Sequence, residues 1–359
     1  MKLPAREYIA YMEKAGLFSA DSPVPECNSR AWRGYLDLYE REIDPAGPPD
    51  IIVTPGGLGF YYEPLDDDRL VWSWALHAPI SHPRIPFTAA QLVALTPEIA
   101  PAFAAQGIED PWIVTDTFAF ATPHTAADEK YFTWLNSPQA RLCADREAYA
   151  ISLEAKRRKQ MRRLFRSYDE APDIFRFDFS QQPPNAAEMD FIREHTQRRW
   201  KEEASYALVQ TLWPMAVSQA IPEAVRYMRV YANGKLVFVN SFLVRDDTIY
   251  SQATCRSEDE MFSGLGTMID FKVIDILSSP ARAATNLPDI AYLDPTCRTT
   301  LDDPENIGIA KREVVNHDYR RPLFLLGAAA RFAAAPATFY DPATGWSTPA
   351  EPLVLGRAA

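Results

Sequence analysis

No apolar run in this 359-residue sequence approaches a membrane span. The longest, LFLLGAAA at 323–330, falls well short of the roughly 20 residues a bilayer requires, and Arg331 ends it. The N-terminus, MKLPAREYIAYMEKAG, is charged throughout and has no apolar central segment, so no signal peptide is expected and a cytoplasmic location is. Cysteine is scarce: Cys27, Cys143, Cys255 and Cys297 are scattered without paired spacing, which suits a reducing compartment rather than a disulfide framework. The five histidines, His77, His82, His124, His195 and His317, form no ligand-like cluster, so no structural metal is expected. A basic excess is missing as well. Lys and Arg number 37 against 48 Asp and Glu, and the net charge of −11 argues against a general nucleic-acid binder.

What is present is apolar mass. Hydrophobic residues make up 47% and aromatic residues 12%, ample for two packed cores, and 359 residues exceed one average domain. The first half reads as mixed α/β with many prolines. A helix is expected over 5–16, strands over 50–57, 58–65 and 69–76, the last two joined through the aspartates at 66–68, and a further strand over 112–122. The 88–107 stretch reads as helix broken at Pro97 and Pro101. Then comes ISLEAKRRKQMRRLFRSYDE, with Ser152 as N-cap and Leu153, Met161, Leu164 and Phe165 on one face. Its other face carries Lys156, Arg157, Arg158, Lys159, Arg162, Arg163 and Arg166. A domain boundary is expected near this basic helix, giving 1–165, 166–330 and an irregular Ala/Pro-rich tail at 331–359. The basic face reads either as a solvated surface or as a site for an acidic carrier protein or a nucleic acid.

The second half is more legible. A strand over 173–181 precedes an amphipathic helix over 187–203. RYMRVYA meets Asn233–Gly234, a strong hairpin signal, and KLVFVNSFLV and TIYSQATC complete a three-strand antiparallel meander. FSGLGTMIDFKVIDIL follows at 262–277, then strands over 289–294 and 309–315. Gly264 and Gly266 admit positive φ and close backbone approach, Ser263 or Thr267 caps the helix, and its first turn offers unpaired N–H groups to an anion. Plain turn punctuation is the competing reading. A P-loop is excluded because Gly-Lys-Ser/Thr is missing, and a dinucleotide fold fits poorly because the preceding strand belongs to a meander.

Meander, glycine turn, helix and one more strand is the core order of the GNAT acyltransferase fold. Several segments resemble its CelD-like and Fem-like double-GNAT members: ISLEAKRRKQMRRLFRSYDEAPDIFRF, FIREHTQRRW with His195, Arg199 and Trp200, FSGLGTM, and YLDPT. IGIAKREVV is a looser match, with Ala310 where the family has tyrosine, and Met261 stands where the acyl-CoA signature opens with Gln or Arg. The resemblance covers about 150–325. It implies an α/β (α+β) fold of two GNAT-like domains in tandem, each a mixed, mostly antiparallel sheet flanked by helices. The implied activity is N-acyl transfer from an acyl-CoA or an acyl carrier protein thioester to a small-molecule or peptide amine, without a metal. The apolar 206–217 segment with Trp213 makes a longer acyl chain worth testing.

The resemblance assigns the thioester carbonyl to the backbone near Ala253, Thr254 and Cys255. It assigns the pyrophosphate to Ser263, Gly264, Leu265, Gly266 and Thr267 with Arg256. An attacking amine must lose its proton, since a free alkylamine has a pKa of about 10.4. His195 is the first candidate base, against a surface histidine. Asp294 is the second, against an acceptor for the Pro295–Thr296 turn. Cys255 reads as a nucleophile or as small packing. Arg199, Trp200, Trp213 and Gln252 are expected to line an acceptor or acyl pocket, with simple core as the alternative for the tryptophans. Two other functions compete: a Fem-like transferase using aminoacyl-tRNA, and a catalytically inactive GNAT-like binding protein.

Overall fold

The computed structural model describes residues 1–48, 50–53, 55, 59–60, 69–71, 84–85, 101–102, 104–107, 112–115, 119–120, 132–136, 138–169, 171, 173–201, 204–257, 262, 264–279, 287, 289–295, 313–317, 320–326, 339–341 and 345–347. Two units divide the chain: 1–136, 299–305 and 320–359 form one, and 137–298 with 306–319 form the other. The boundary expected at 165/166, and the basic helix with it, falls inside the second unit.

The first unit runs through β1 (Lys2–Leu3), α1 (Ala5–Lys14), α2 (Ser29–Glu42), β2 (Ile51–Val53), β3 (Gly59–Phe60), β4 (Arg69–Val71), β5 (Arg84–Ile85), β6 (Trp112–Thr115), β7 (Ala119–Phe120) and β8 (Phe132–Asn136). Sequence reading missed α2. Its signal was there: Asn28 caps it, the side chain accepting from the Ala31 N–H at 3.0 Å, and Trp32, Tyr35, Leu36 and Tyr39 repeat on a buried face. Arg6 of α1 ties the two helices through Asp37 at 2.7 Å and Glu40 at 2.8 Å. The strands over 59–60 and 69–71, expected as neighbours, belong to different sheets. Most of the helix expected over 88–107 lies outside the described residues.

The second unit runs through β9 (Ala140–Arg141), α3 (Arg146–Ser152), α4 (Ala155–Asp169), β10 (Phe175–Ser180), α5 (Ala186–Trp200), α6 (Ala204–Ala220), β11 (Val225–Ala232), β12 (Lys235–Arg245), β13 (Thr248–Arg256), α7 (Leu265–Leu277) and β14 (Tyr292–Asp294). Ser152 does not cap the basic helix. It ends α3, its hydroxyl donating to the Tyr149 carbonyl at 2.7 Å, and Leu153 then turns extended (φ −84°, ψ 154°) before α4 begins. The strand expected over 309–315 is not found at its described end, where Glu313–Val314 form a turn and Val314 and Val315 enter the core. The chain returns to the first unit as β15 (Arg320–Leu326), β16 (Phe339–Asp341) and β17 (Gly345–Ser347). The last two pair antiparallel within the stretch expected to be irregular.

Sheets of the first unit are β1-β2-β3 and β4-β6-β15-β8, plus the pairs β5–β7 and β16–β17. The second unit has one six-stranded sheet, ordered β10-β11-β12-β13-β14-β9. All its pairs are antiparallel except β13–β14. The second unit is therefore one mixed, mostly antiparallel sheet with helices, whereas the described strands of the first unit divide among separate sheets. The second unit shows the expected order of meander, glycine turn, helix and one more strand, and that strand pairs parallel with β13. Positive φ at Asn233 (51°) and Gly234 (77°) makes the tight β11–β12 turn.

Side chains of the second sheet alternate between two helical layers. Met228, Val230, Phe242, Val244 and Ile249 join α3, α4 and α7 in one core cluster. On the opposite face Tyr227 reaches α6, its hydroxyl donating to the Ser218 hydroxyl at 3.2 Å, and Arg229 reaches Glu188 of α5 at 2.6 Å. An Asn185–Glu188 capping box starts α5 and so fixes where that carboxylate stands.

Candidate functional site

Strands β13 and β14 pair only at Thr248–Tyr292, Ile249–Leu293 and Tyr250–Asp294. β14 ends at Asp294, whereas β13 continues past Tyr250 to Arg256. A bulge follows in β13. Asn240 opposes Thr254 and Phe242 opposes Ser251, which leaves Gln252 and Ala253 against Ser241 alone.

Three polar residues of the core strands pin this bulge. The Ser241 hydroxyl accepts from the Ala253 N–H at 3.2 Å. The Asn240 amide donates to the Ser251 hydroxyl at 3.1 Å, and its oxygen accepts from the Thr254 hydroxyl at 2.8 Å. Asn240, Ser241 and Ser251 are buried, where unpaired polar atoms would be costly. None was singled out from sequence. The available signal was the polar Asn-Ser pair interrupting the apolar strand KLVFVNSFLV.

The glycine turn lies after β13. Gly264 is the N-cap of α7 at φ 77°, a left-handed conformation that favours glycine. A Cβ there would stand 2.7 Å from Leu164 Cδ2 of α4, whereas one at Gly266 would meet nothing within 4 Å. The N-cap residue, being glycine, offers no side chain of its own. Thr267 donates to Glu313 at 3.3 Å, and Gln160 of α4 donates to the same carboxylate. Leu265 is buried and Gly266 exposed. Ser263, Met261 and Ala310 lie outside the described residues.

The remaining candidates have distinct settings. His195 is buried, not on the surface, with its ring 4.5 Å from that of Phe191. The face of α5 that carries it meets β13: Cys255 Sγ lies 3.9 Å from the Thr196 hydroxyl and 3.7 Å from the Ile192 carbonyl. Ala253 and Cys255 are buried, Thr254 and Arg256 exposed. Asp294 is fully buried, and the Gln139 amide donates to it at 3.2 Å. Arg199 stacks 5.0 Å from the ring of an exposed Trp200 at the end of α5. Trp213 is core within α6, and Gln252 sits at the bulge, so these four residues do not share one setting.

Burial dominates the electrostatics. The Glu188 carboxyl is pushed up by burial, but hydrogen bonds from Arg229, the Asn185 amide and Tyr231 outweigh that and hold it below the usual range. Burial lowers the guanidinium of Arg245 on β12, whose face is turned to α5 and α6, to about 10. Among the described residues, no group of three or more His, Cys, Asp and Glu side chains could hold a metal ion, and no helix is long and apolar enough to cross a membrane.

Comparison with known proteins found no matching family model and no matching curated protein. Solved structures do align along much of the chain. The L-PGS from Bacillus licheniformis is 9% identical, with 90% of this chain and 91% of that one covered and a TM-score of 0.48. FemX is 9% identical over 93% of this chain and 98% of its own, with a TM-score of 0.42. A GCN5-related N-acetyltransferase from Kribbella flavida is 14% identical over 68% and 77%, with a TM-score of 0.32. The functional reading below therefore stands on the chain's own topology and side chains.

Proposed function

We propose that the second unit is an N-acyltransferase that takes its acyl group from a thioester. One observation carries this reading: β13, bulged at Gln252 and Ala253, runs on past its last pair with β14 at Tyr250–Asp294 and leads through a glycine turn into helix α7. A strand that leads into a helix N-terminus suits a donor with an extended amide-bearing arm and an anionic end.

In the reaction an amine nitrogen attacks the thioester carbonyl carbon. The C–N bond forms, the C–S bond breaks, the nitrogen gives up one proton, and the thiolate takes one to leave as thiol. Backbone N–H groups at the bulge supply donors for the developing oxyanion. Ala253 contributes less than the sequence assignment implies, since its N–H is already held by Ser241. His195 is the base we favour, because its helix face reaches β13 at Cys255. Asp294 is assigned a positioning part: through Gln139 it fixes the end of β14 where its pairing with β13 stops.

Calorimetric titration with CoA, acetyl-CoA and a long-chain acyl-CoA tests the proposal, with Gly266→Glu as control because that position is open and exposed. Binding to the native chain and its loss in the variant are expected. Equal binding by both would remove the glycine turn from the site, and a native chain that binds none of the three would remove free CoA as the donor.

A further inference from the structure

Lys156, Lys159, Arg163 and Arg166 of α4 are all exposed, and none forms an ion pair with a described residue. Their spacing of three, four and three residues puts them in one column, opposite the buried Met161, Leu164, Phe165 and Tyr168. The column is about 15 Å long at 1.5 Å per residue. Elsewhere in this unit helical cations meet carboxylates: Arg198 with Glu194 at 2.5 Å and Lys272 with Asp169 at 2.7 Å. On α4 itself, Arg162 is paired with Glu147 and Arg157 with Glu154, whereas no described carboxylate pairs with the outer column. Like charges at these spacings weaken a helix, so the column does not add to the stability of α4.

We propose that this column docks the acidic helix of an acyl carrier protein, which presents the thioester donor to the glycine turn. The inference rests on the transferase reading and names its donor. Carboxylates on one face of a helix recur every three to four residues, about 4.5–6 Å along the axis, and match the cation spacing. An apolar anchor adjoins the charges: Ile151, five residues before Lys156, is 61% exposed at the end of α3. The inner side of the same helix supplies Leu164, against which Gly264 packs, so a partner on α4 lies one helix from the turn.

Other polyanions fit less well. The column is one side chain wide and has no exposed aromatic on α4 to stack a base, and the chain's net charge is −11. The apolar face of α4 is buried in the core, so the helix has nothing to insert into a lipid surface.

Biolayer interferometry of the full chain against holo-acyl carrier protein tests this, beside K159E/R163E and I151S variants, bulk tRNA and phosphatidylglycerol vesicles. The expected result is carrier binding that weakens about tenfold or more when salt rises from about 0.05 to about 0.5 M. K159E/R163E should lose at least about tenfold and I151S about threefold, with unchanged thermal melts. No carrier binding, or equal binding by K159E/R163E, overturns the proposal. So does a column-dependent interaction seen only with tRNA or vesicles. Parallel CoA titration separates the failures: CoA binding without carrier binding sinks the docking inference alone, whereas loss of both sinks the transferase reading with it.

Discussion

Gly264→Ala puts the glycine turn to a quantitative test. Two costs combine at this position. A non-glycine residue at φ 77° pays about 1–2 kcal/mol for the left-handed conformation. The new methyl also stands 2.7 Å from Leu164 Cδ2, against the roughly 3.5–4.0 Å of ordinary carbon contact, and Leu164 is buried in a packed core. Because the colliding atom ends a side chain, the overpacking cost falls near the lower bound of about 1 kcal/mol. The sum is about 2–3 kcal/mol, read as a lower urea midpoint at unchanged m-value. Gly266→Ala is the internal control. Its Cβ meets nothing within 4 Å and its φ is not positive, so it should leave stability unchanged or raise it by about 0.4–1 kcal/mol. A double cycle with Leu164→Ala should recover about 1 kcal/mol of the Gly264→Ala cost, the steric share. Equal midpoints for Gly264→Ala and Gly266→Ala would refute the reasoning, since the backbone and packing costs belong to position 264 alone.

Three shorter predictions accompany it. Glu188→Gln should cost about 3–5 kcal/mol at pH 7 by leaving Arg229 buried against a neutral side chain. Because the Glu188 carboxyl is held below its unfolded value of about 4.3, its contribution is present above that pH and fades as pH falls through the folded value, so the gap between variant and native urea midpoints should close in acid. Ser241→Ala should cost about 1–3 kcal/mol in chemical denaturation by removing the acceptor of the buried Ala253 N–H. Asp294→Ala should cost a similar amount through the Gln139 amide, while Asp294→Asn, which keeps an acceptor, should stay close to native; equal losses would contradict a role through that hydrogen bond.

The meander was legible because period-two alternation and an Asn-Gly turn are local signals, and the turn takes the positive φ that those two residues permit. The bulge was not legible. It exists only in the register of two strands, where Gln252 and Ala253 share Ser241, and no single segment encodes that. The break between α3 and α4 was hidden because ISLEAKRRKQ reads as one continuous helix, whereas Leu153 turns extended and buries its side chain. His195 looked like a surface residue from its polar neighbours. Its place follows instead from the three-and-four spacing that puts Glu188, Ile192, His195 and Thr196 on the buried face of α5. Where a side chain sits was readable from periodicity, and what it meets across the sheet was not.

Glu313 bears on which donor the turn accepts. A helix start attracts one negative charge by about 0.3–1 kcal/mol, and here a carboxylate already stands at Thr267, held by that hydroxyl and by Gln160. A second anion about 4 Å from it meets a repulsion between about 1 kcal/mol in water and 4 kcal/mol in a protein-like medium, per unit charge. Glu313 is half-buried, so the value falls between these bounds. A pyrophosphate brings two such charges, and the phosphodiester of a carrier-bound arm brings one. Glu313→Gln keeps an acceptor for Thr267 and removes the charge, so it should tighten CoA by about tenfold or more, about 1.4 kcal/mol, and lessen its salt dependence. Carrier affinity, set mainly by the α4 column, should change less. Unchanged CoA affinity in Glu313→Gln would mean that the anionic end of the donor does not lie at the first turn of α7.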